Sequence, residues 1–253
     1  MKGLFDYDSG FFRALDKLGS LFILNLITLV CSIPFFTVGA AFTALYYVTM
    51  KMVKDEETYI LKDYFRSFRQ NFVQATVIWL IFFVVGSIMY FDYRIASTYR
   101  ESFPAAGAFT VLVMACGLFY IMALAYVFPV LAKFYNTTVQ TLKNALIMSI
   151  RHFPLTLVIV FINVIFPVIT VIGMIKNGKS LLAPIYICLG FAVPAYANSY
   201  LFTRIFASYI PADEGAETGS DEEYLNGSKD AAVTAGADIA TATGITDESK
   251  KEQ

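Results

Sequence analysis

The sequence predicts an all-α, polytopic membrane bundle of about six membrane helices, followed by a disordered tail. Three observations lead there. First, the 253 residues are 57% hydrophobic and only 15% charged, with a mean hydropathy of +0.61; soluble domains run at about 45–50% apolar and about 25% charged. Second, several stretches long enough to cross a bilayer carry no charged side chain. Third, the net charge of −1 hides a division. Residues 1–210 hold 16 Lys/Arg against 9 Asp/Glu, a balance of +7, and residues 211–253 hold 3 Lys against 11 acids, a balance of −8. A basic membrane body is attached to an acidic tail. The expected organisation is an interfacial amphipathic segment over 1–17, a transmembrane domain over 18–210, and a disordered acidic tail over 211–253.

The N-terminal segment places Phe11, Phe12, Leu15 and Leu18 at helical spacing, with Arg13, Asp16 and Lys17 elsewhere on the helix. It reads as a helix lying in the membrane interface, or as the frayed start of the first span. The apolar run that follows, 18–50, is too long for one straight crossing, since about 20 residues cover a bilayer core of about 30 Å. It is interrupted at Ser32-Ile33-Pro34. Proline lacks an N–H and clashes with the preceding turn, so a helix kinks or ends there. Two short helices over 18–33 and 37–50 forming a hairpin, or one kinked helix, both fit. Val38-Gly39-Ala40 resembles a signal cleavage site, but three aspartates precede it and the apolar run continues past it, so no cleavage is expected.

Four further runs, 72–91, 105–131, 153–175 and 181–205, each predict one span. The linkers 51–71 and 132–152 and the segment after Arg204 then share a side. They hold nine of the Lys/Arg residues, against Arg94, Arg100, Lys176 and Lys179 opposite. The positive-inside bias makes the basic side cytoplasmic. Lys2, Arg13 and Lys17 put the N-terminus there too, which requires an even number of crossings before Lys51 and favours the hairpin. The protein is therefore expected in the cell membrane as a multi-pass chain, with N-terminus and tail cytoplasmic. Its tail, rich in Ala, Gly, Thr, Ser and acids, has too few apolar side chains to offset chain entropy by burial.

The linker 59–69 mixes aromatic with basic residues, a pattern of nucleic-acid binding but equally of an interfacial helix facing anionic lipid. Between two apolar spans the second applies, and no nucleic acid is expected. Ser67-Phe68-Arg69-Gln70-Asn71-Phe72 and Ser149-Ile150-Arg151-His152-Phe153 each lead into a span, as remnants of a duplicated unit or as generic interface chemistry. Arg66, Arg69, Asn71 and Arg151 form the candidate cytoplasmic interface.

No Asp, Glu, Lys or Arg lies deep in a span, which argues against proton- or ion-driven transport. The polar positions that do enter the membrane are Asn25, Pro34, Thr37, Asn163 and Asn198. They either join helices by hydrogen bonds or line a cavity for a neutral solute. Cys31, Cys116 and Cys188 lie in apolar runs as small packing residues. His152 has no companion ligands, and no nucleophile elbow, zinc motif or phosphate loop occurs. No catalytic residue, cofactor or metal is expected.

Several phrases carry a resemblance. Cys31-Ser32-Ile33-Pro34-Phe35-Phe36-Thr37-Val38-Gly39-Ala40-Ala41, preceded by Asn25-Leu26 and followed by Ala44-Leu45-Tyr46, forms the first block. Asp63-Tyr64-Phe65-Arg66-Ser67-Phe68-Arg69-Gln70-Asn71-Phe72 forms the second, and Tyr126-Val127-Phe128-Pro129 with Leu142-Lys143-Asn144-Ala145-Leu146 the third. Over about 1–208 the chain resembles the YesL-like family of bacterial membrane proteins, whose biochemistry is uncharacterised. Family members tend to be encoded beside sugar-uptake transporters and polysaccharide-degrading enzymes in Gram-positive bacteria. The resemblance implies a non-enzymatic accessory or regulatory component of carbohydrate uptake, with the lipid bilayer and a sugar transporter permease as partners. A small transporter or channel for a neutral solute is the alternative. The resemblance supplies no catalytic residues, and the acidic tail is atypical of it.

Overall fold

The structure, a computed structural model, describes residues 10–56, 58–98, 104–177 and 182–209. The chain divides into two compact units, Met1–Ala207 and Ser208–Gln253. Of the second, only Ser208 and Tyr209 are among the described residues; the expected tail, 211–253, lies outside them, as does the start of the amphipathic N-terminal segment.

The described part of the first unit is helical throughout, with no strand among the described residues. In order it comprises α1 (Gly10–Cys31), a 3-10 turn (Phe35–Thr37), α2 (Val38–Val53), α3 (Ile60–Thr98), α4 (Pro104–Lys133), α5 (Thr138–Arg151), α6 (Phe153–Asn177), α7 (Leu182–Leu189) and α8 (Ala192–Ala207). This is the all-α membrane bundle that the apolar runs predict. Among the described residues, four segments are by themselves long and apolar enough to cross a membrane: Phe35–Val53, Ile60–Thr98, Gly107–Lys133 and Phe153–Gly173.

The break at Pro34 is present, and its chemistry is visible. α1 stops at Cys31, and Pro34 adopts an extended conformation (φ −72, ψ 118) ahead of the 3-10 turn. Thr37 closes the turn, its hydroxyl 2.6 Å from the Pro34 carbonyl and also within reach of the Cys31 carbonyl. Lys17 Nζ lies 2.8 Å from Asp55 Oδ1, so the start of α1 sits beside the end of α2 and the two form a hairpin. The amphipathic residues from Gly10 onward belong to α1 itself.

α2 is the interior helix. Two-thirds of its span (67%) is buried, against 17%, 22% and 12% for the spans in α3, α4 and α6. Its run of Gly39, Ala40, Ala41 and Ala44 allows neighbouring backbones to come close, as small residues do in membrane helices. A Cβ on Gly39 would run into the Ala75 carbonyl oxygen and lie 2.9 Å from Trp79 Cβ. α3 runs antiparallel to α2: Lys51 Nζ pairs with Asp63 Oδ2 at 3.2 Å, and Trp79 Nε1 donates to the Phe35 carbonyl at 2.9 Å. The exposed faces of α3, α4 and α6 carry large apolar side chains such as Val84, Leu112, Phe119 and Phe161. Such surfaces are far more favourable against lipid tails than against water.

Three boundaries differ from the sequence expectation. The second half of linker 51–71 is not a linker, because α3 begins at Ile60 and continues to Thr98. At 39 residues it is about 58 Å long, so it projects well beyond a hydrocarbon core. Linker 132–152 folds into α5, which buries Thr141, Ala145, Met148 and Ser149 on one face and leaves Lys143, Leu146, Ile147 and Ile150 exposed. The run 181–205 is not one helix: α7 ends at Leu189 and α8 starts at Ala192, so neither piece crosses alone. Gly190 sits at the break, its N–H bonded to the Tyr186 carbonyl at 2.7 Å.

Candidate intramembrane cavity

A break inside an apolar environment leaves backbone groups without partners, and each unpaired buried group costs about 1–3 kcal/mol. Here Asn25 of α1 supplies the missing partner. Its Oδ1 accepts from Phe191 N at 2.9 Å and from Ala192 N at 3.0 Å, and the residue is fully buried. A side chain 166 residues away in sequence thus caps α8, in the way an Asn one position ahead of a helix would. Asn25 is therefore a structural partner and does not line an open site.

Beside this break is a cavity of about 310 Å³, at the lower end of the range for small-molecule pockets, roughly 300–1,000 Å³. Phe42 and Tyr46 of α2, Tyr186 of α7 and Phe191 give it aromatic walls. Ala125 of α4, Asn163 of α6, and Gly190, Pro194 and Ala195 at the break complete its interior. The two lining residues with the most exposed apolar side chains are Ile121 of α4 (46%) and Val164 of α6 (48%). The accessible side of the cavity is thus the α4–α6 face. Among the described lining residues none is Asp, Glu, Lys, Arg or His.

The sequence-predicted polar positions separate here. Asn163 lines the cavity, with its Nδ2 donating to the Ile159 carbonyl at 3.0 Å. Asn198 is fully buried behind Tyr46. The Tyr46 hydroxyl interacts with the amides of both Asn163 and Asn198, yet no bond to either amide atom of Asn198 closes at hydrogen-bonding distance and angle. Pro34 and Thr37 shape the turn between α1 and α2, away from the cavity. Tyr46 is the lining residue that sequence reasoning missed. It reads as one more aromatic in an apolar run, and only the fold aims it at two asparagines.

The candidate interface residues do not form one cluster. Arg66 and Arg69 lie on the α3 extension, Arg69 exposed. Asn71 is half-buried and donates to the Ser67 carbonyl at 3.1 Å, holding its own helix. Gln74 ties α3 to the α4–α5 loop by donating to the Asn136 carbonyl at 2.7 Å. Arg151 sits at the opposite end of α5 from Thr141. There the turn into α6 is fastened by Thr156, which donates to the Ser149 carbonyl at 2.7 Å and shares a 2.9 Å bond with the Tyr126 hydroxyl. Outside the spans, the hydrogen bond that Lys17 donates to Asp55 raises the pKa of its ammonium above the ordinary lysine value. No group of metal-ligating side chains occurs among the described residues.

Residues 21–93 match the model of a family described as a protein of unknown function, DUF624. The match spans the α1–α2 hairpin and most of α3, less than a third of the chain. It is consistent with the YesL-like resemblance and, like that family, comes with no activity attached. No curated protein and no solved structure matches the chain.

Proposed function

We propose that this chain is a non-enzymatic membrane protein that accompanies carbohydrate uptake as an accessory or regulatory component in a Gram-positive cell membrane. The observation that carries the reading is how polar groups inside the bundle are engaged. Asn25 holds the start of α8. Thr28, Thr43 and Thr49 bond to carbonyls one turn back in their own helices, and Thr49 also meets Ser199 of α8 at 2.8 Å. Asn25 and the Thr49–Ser199 pair join helices, Thr28 and Thr43 close onto their own helices, and no charged residue lies deep in a span where it would couple transport to an ion.

The carbohydrate connection comes from the family resemblance. Basic residues exposed on α3 and α5, among them Arg69, Lys143 and Arg151, face the side that the lysine and arginine bias makes cytoplasmic, as do the N-terminus and tail. They are the contacts for a sugar transporter permease. The test is cross-linking of the full chain in its native membrane, followed by mild detergent extraction and mass spectrometry. Recovery of a sugar-uptake permease on α3 and α5 lysines is expected. Recovery of the chain alone would contradict the accessory role. The cavity favours a second reading, a small transporter for a neutral solute. Purified chain in proteoliposomes separates the two: the accessory role predicts no polyol flux above empty liposomes.

A further inference from the structure

The cavity beside the α7–α8 break opens toward lipid. Its mouth lies between Ile121 of α4 and Val164 of α6, 46% and 48% exposed. The mouth is continuous with the outer surface of the same two helices, where Leu118, Phe119, Leu157 and Phe161 are also exposed. Such a surface is favourable against lipid tails. Behind the mouth the lining includes Tyr46 and Ala195, which are 6% and 2% exposed. A group that touches those two residues has left the outer surface of the protein and entered the bundle.

Depth and chemistry narrow the occupant. Asn163, in the lining, is ten residues from either end of Phe153–Gly173. That is about 15 Å of helix, half of a hydrocarbon core about 30 Å thick. At this depth the surroundings are acyl chains, with headgroups far off on either side. Asn163 Nδ2 donates to the Ile159 carbonyl, and the Tyr46 hydroxyl meets the amides of Asn163 and Asn198, so both side chains are engaged by the protein itself. The remaining wall is mostly rings and aliphatic groups, among them Phe42, Leu124, Val160 and Phe191. Packed interiors leave few voids larger than a water, and a water needs two to four polar partners. A chain of methylenes needs none. We propose that this cavity binds the acyl tail of a bilayer phospholipid, which enters sideways between α4 and α6. The seated tail packs against the break at Gly190 and Pro194 and supports it from the membrane side, as Asn25 supports it from α1. The site is independent of the uptake reading: failure to recover a permease leaves it untouched, and failure of the site leaves the accessory role untouched. The tail competes with the neutral solute of the second reading.

The test places the full chain in phosphatidylcholine nanodiscs doped with phosphatidylcholine that carries a diazirine in the middle of one acyl chain. After photolysis, mass spectrometry should find adducts on Tyr46 or Ala195 as well as on exposed residues such as Val84 and Leu112. The same lipid with its diazirine on the headgroup should give no interior adduct. Val164→Trp and Ile121→Trp each put a bulky ring at the mouth from a half-exposed position, so that one can serve should the other fail to fold. Both should lose the interior adducts and keep those on Val84 and Leu112. Excess glycerol in the aqueous phase should leave the interior adducts unchanged. Adducts confined to exposed residues, interior adducts from the headgroup probe, or interior adducts that persist in the folded mouth variants would overturn the proposal. So would their displacement by glycerol, which would make the cavity aqueous, or interior labelling by a free fatty acid probe but not by the phospholipid.

Discussion

α3 and the α7–α8 pair start from the same raw material, an apolar run long enough to cross a bilayer, and end differently. α3 contains no proline and stays one helix for 39 residues, straight through a charged stretch expected to be a linker. α7–α8 has Gly190 with Pro194 four residues on, and it breaks. In water either outcome is inexpensive, because solvent pairs the freed groups. In lipid a break survives only when another part of the protein supplies the partners. Asn25 does so for Phe191 and Ala192, whereas α3 needs no such help. Helix continuity in this bundle is thus decided by distant side chains as much as by local sequence.

Substitutions can break or sharpen that contrast. The largest effect is expected from Asn25→Leu, which leaves two buried amides unpaired at about 1–3 kcal/mol each. Equilibrium unfolding in micelles should show a loss of several kcal/mol; a neutral result would mean that α8 does not depend on Asn25. On the α3 side, Lys51→Met strands Asp63, whose side chain is 8% exposed. Removing one partner of a buried pair costs about 3–5 kcal/mol, and the partly exposed Lys51 puts this pair at or below the lower end. The unfolding midpoint should fall clearly, and that of Lys17→Met should not.

Glycines give a finer comparison. Gly39→Ala drives a methyl group against the α3 backbone and should cost about 1–3 kcal/mol, as overpacking does. Gly86→Ala meets the outer end of the Tyr120 side chain and no backbone atom, and should cost less by thermal unfolding; equal losses would remove the special role of the α2–α3 approach.

The smallest effect concerns pH. The Lys17 pKa is raised chiefly by its bond to Asp55. The pair therefore contributes fully below the ordinary lysine value and is lost as pH climbs through the raised one. Because Lys17 is more than a third exposed, the amount is under about 1 kcal/mol. Melting curves between about pH 9 and 12 should show a slight alkaline decline that is flattened in Lys17→Met.

Much of the fold was legible in the sequence because its signals are local. The proline break at Pro34 and the spans around α4 and α6 each follow from neighbours within a few residues. The α7–α8 break was not, since it depends on Asn25, whose partner lies at the other end of the chain. The extension of α3 was hidden because a charged, aromatic stretch suits a helix projecting from the membrane as well as an interfacial linker. Asn25, Asn163 and Asn198 could be picked out as polar among apolar, but not told apart: one caps, one lines the cavity, one is buried unpaired. Ala125, Asn163 and Gly190 lie far apart in the sequence, and only packing brings them to one cavity.

Hydrogen exchange at the backbone amides of Phe191 and Ala192 tests most directly whether a side chain from α1 holds the broken helix. Those two amides should be strongly protected in the native chain and lose protection in Asn25→Leu, while amides in the middle of α3 keep theirs. Unchanged protection at Phe191 and Ala192 in that variant, or rapid exchange there in the native chain, would contradict the account.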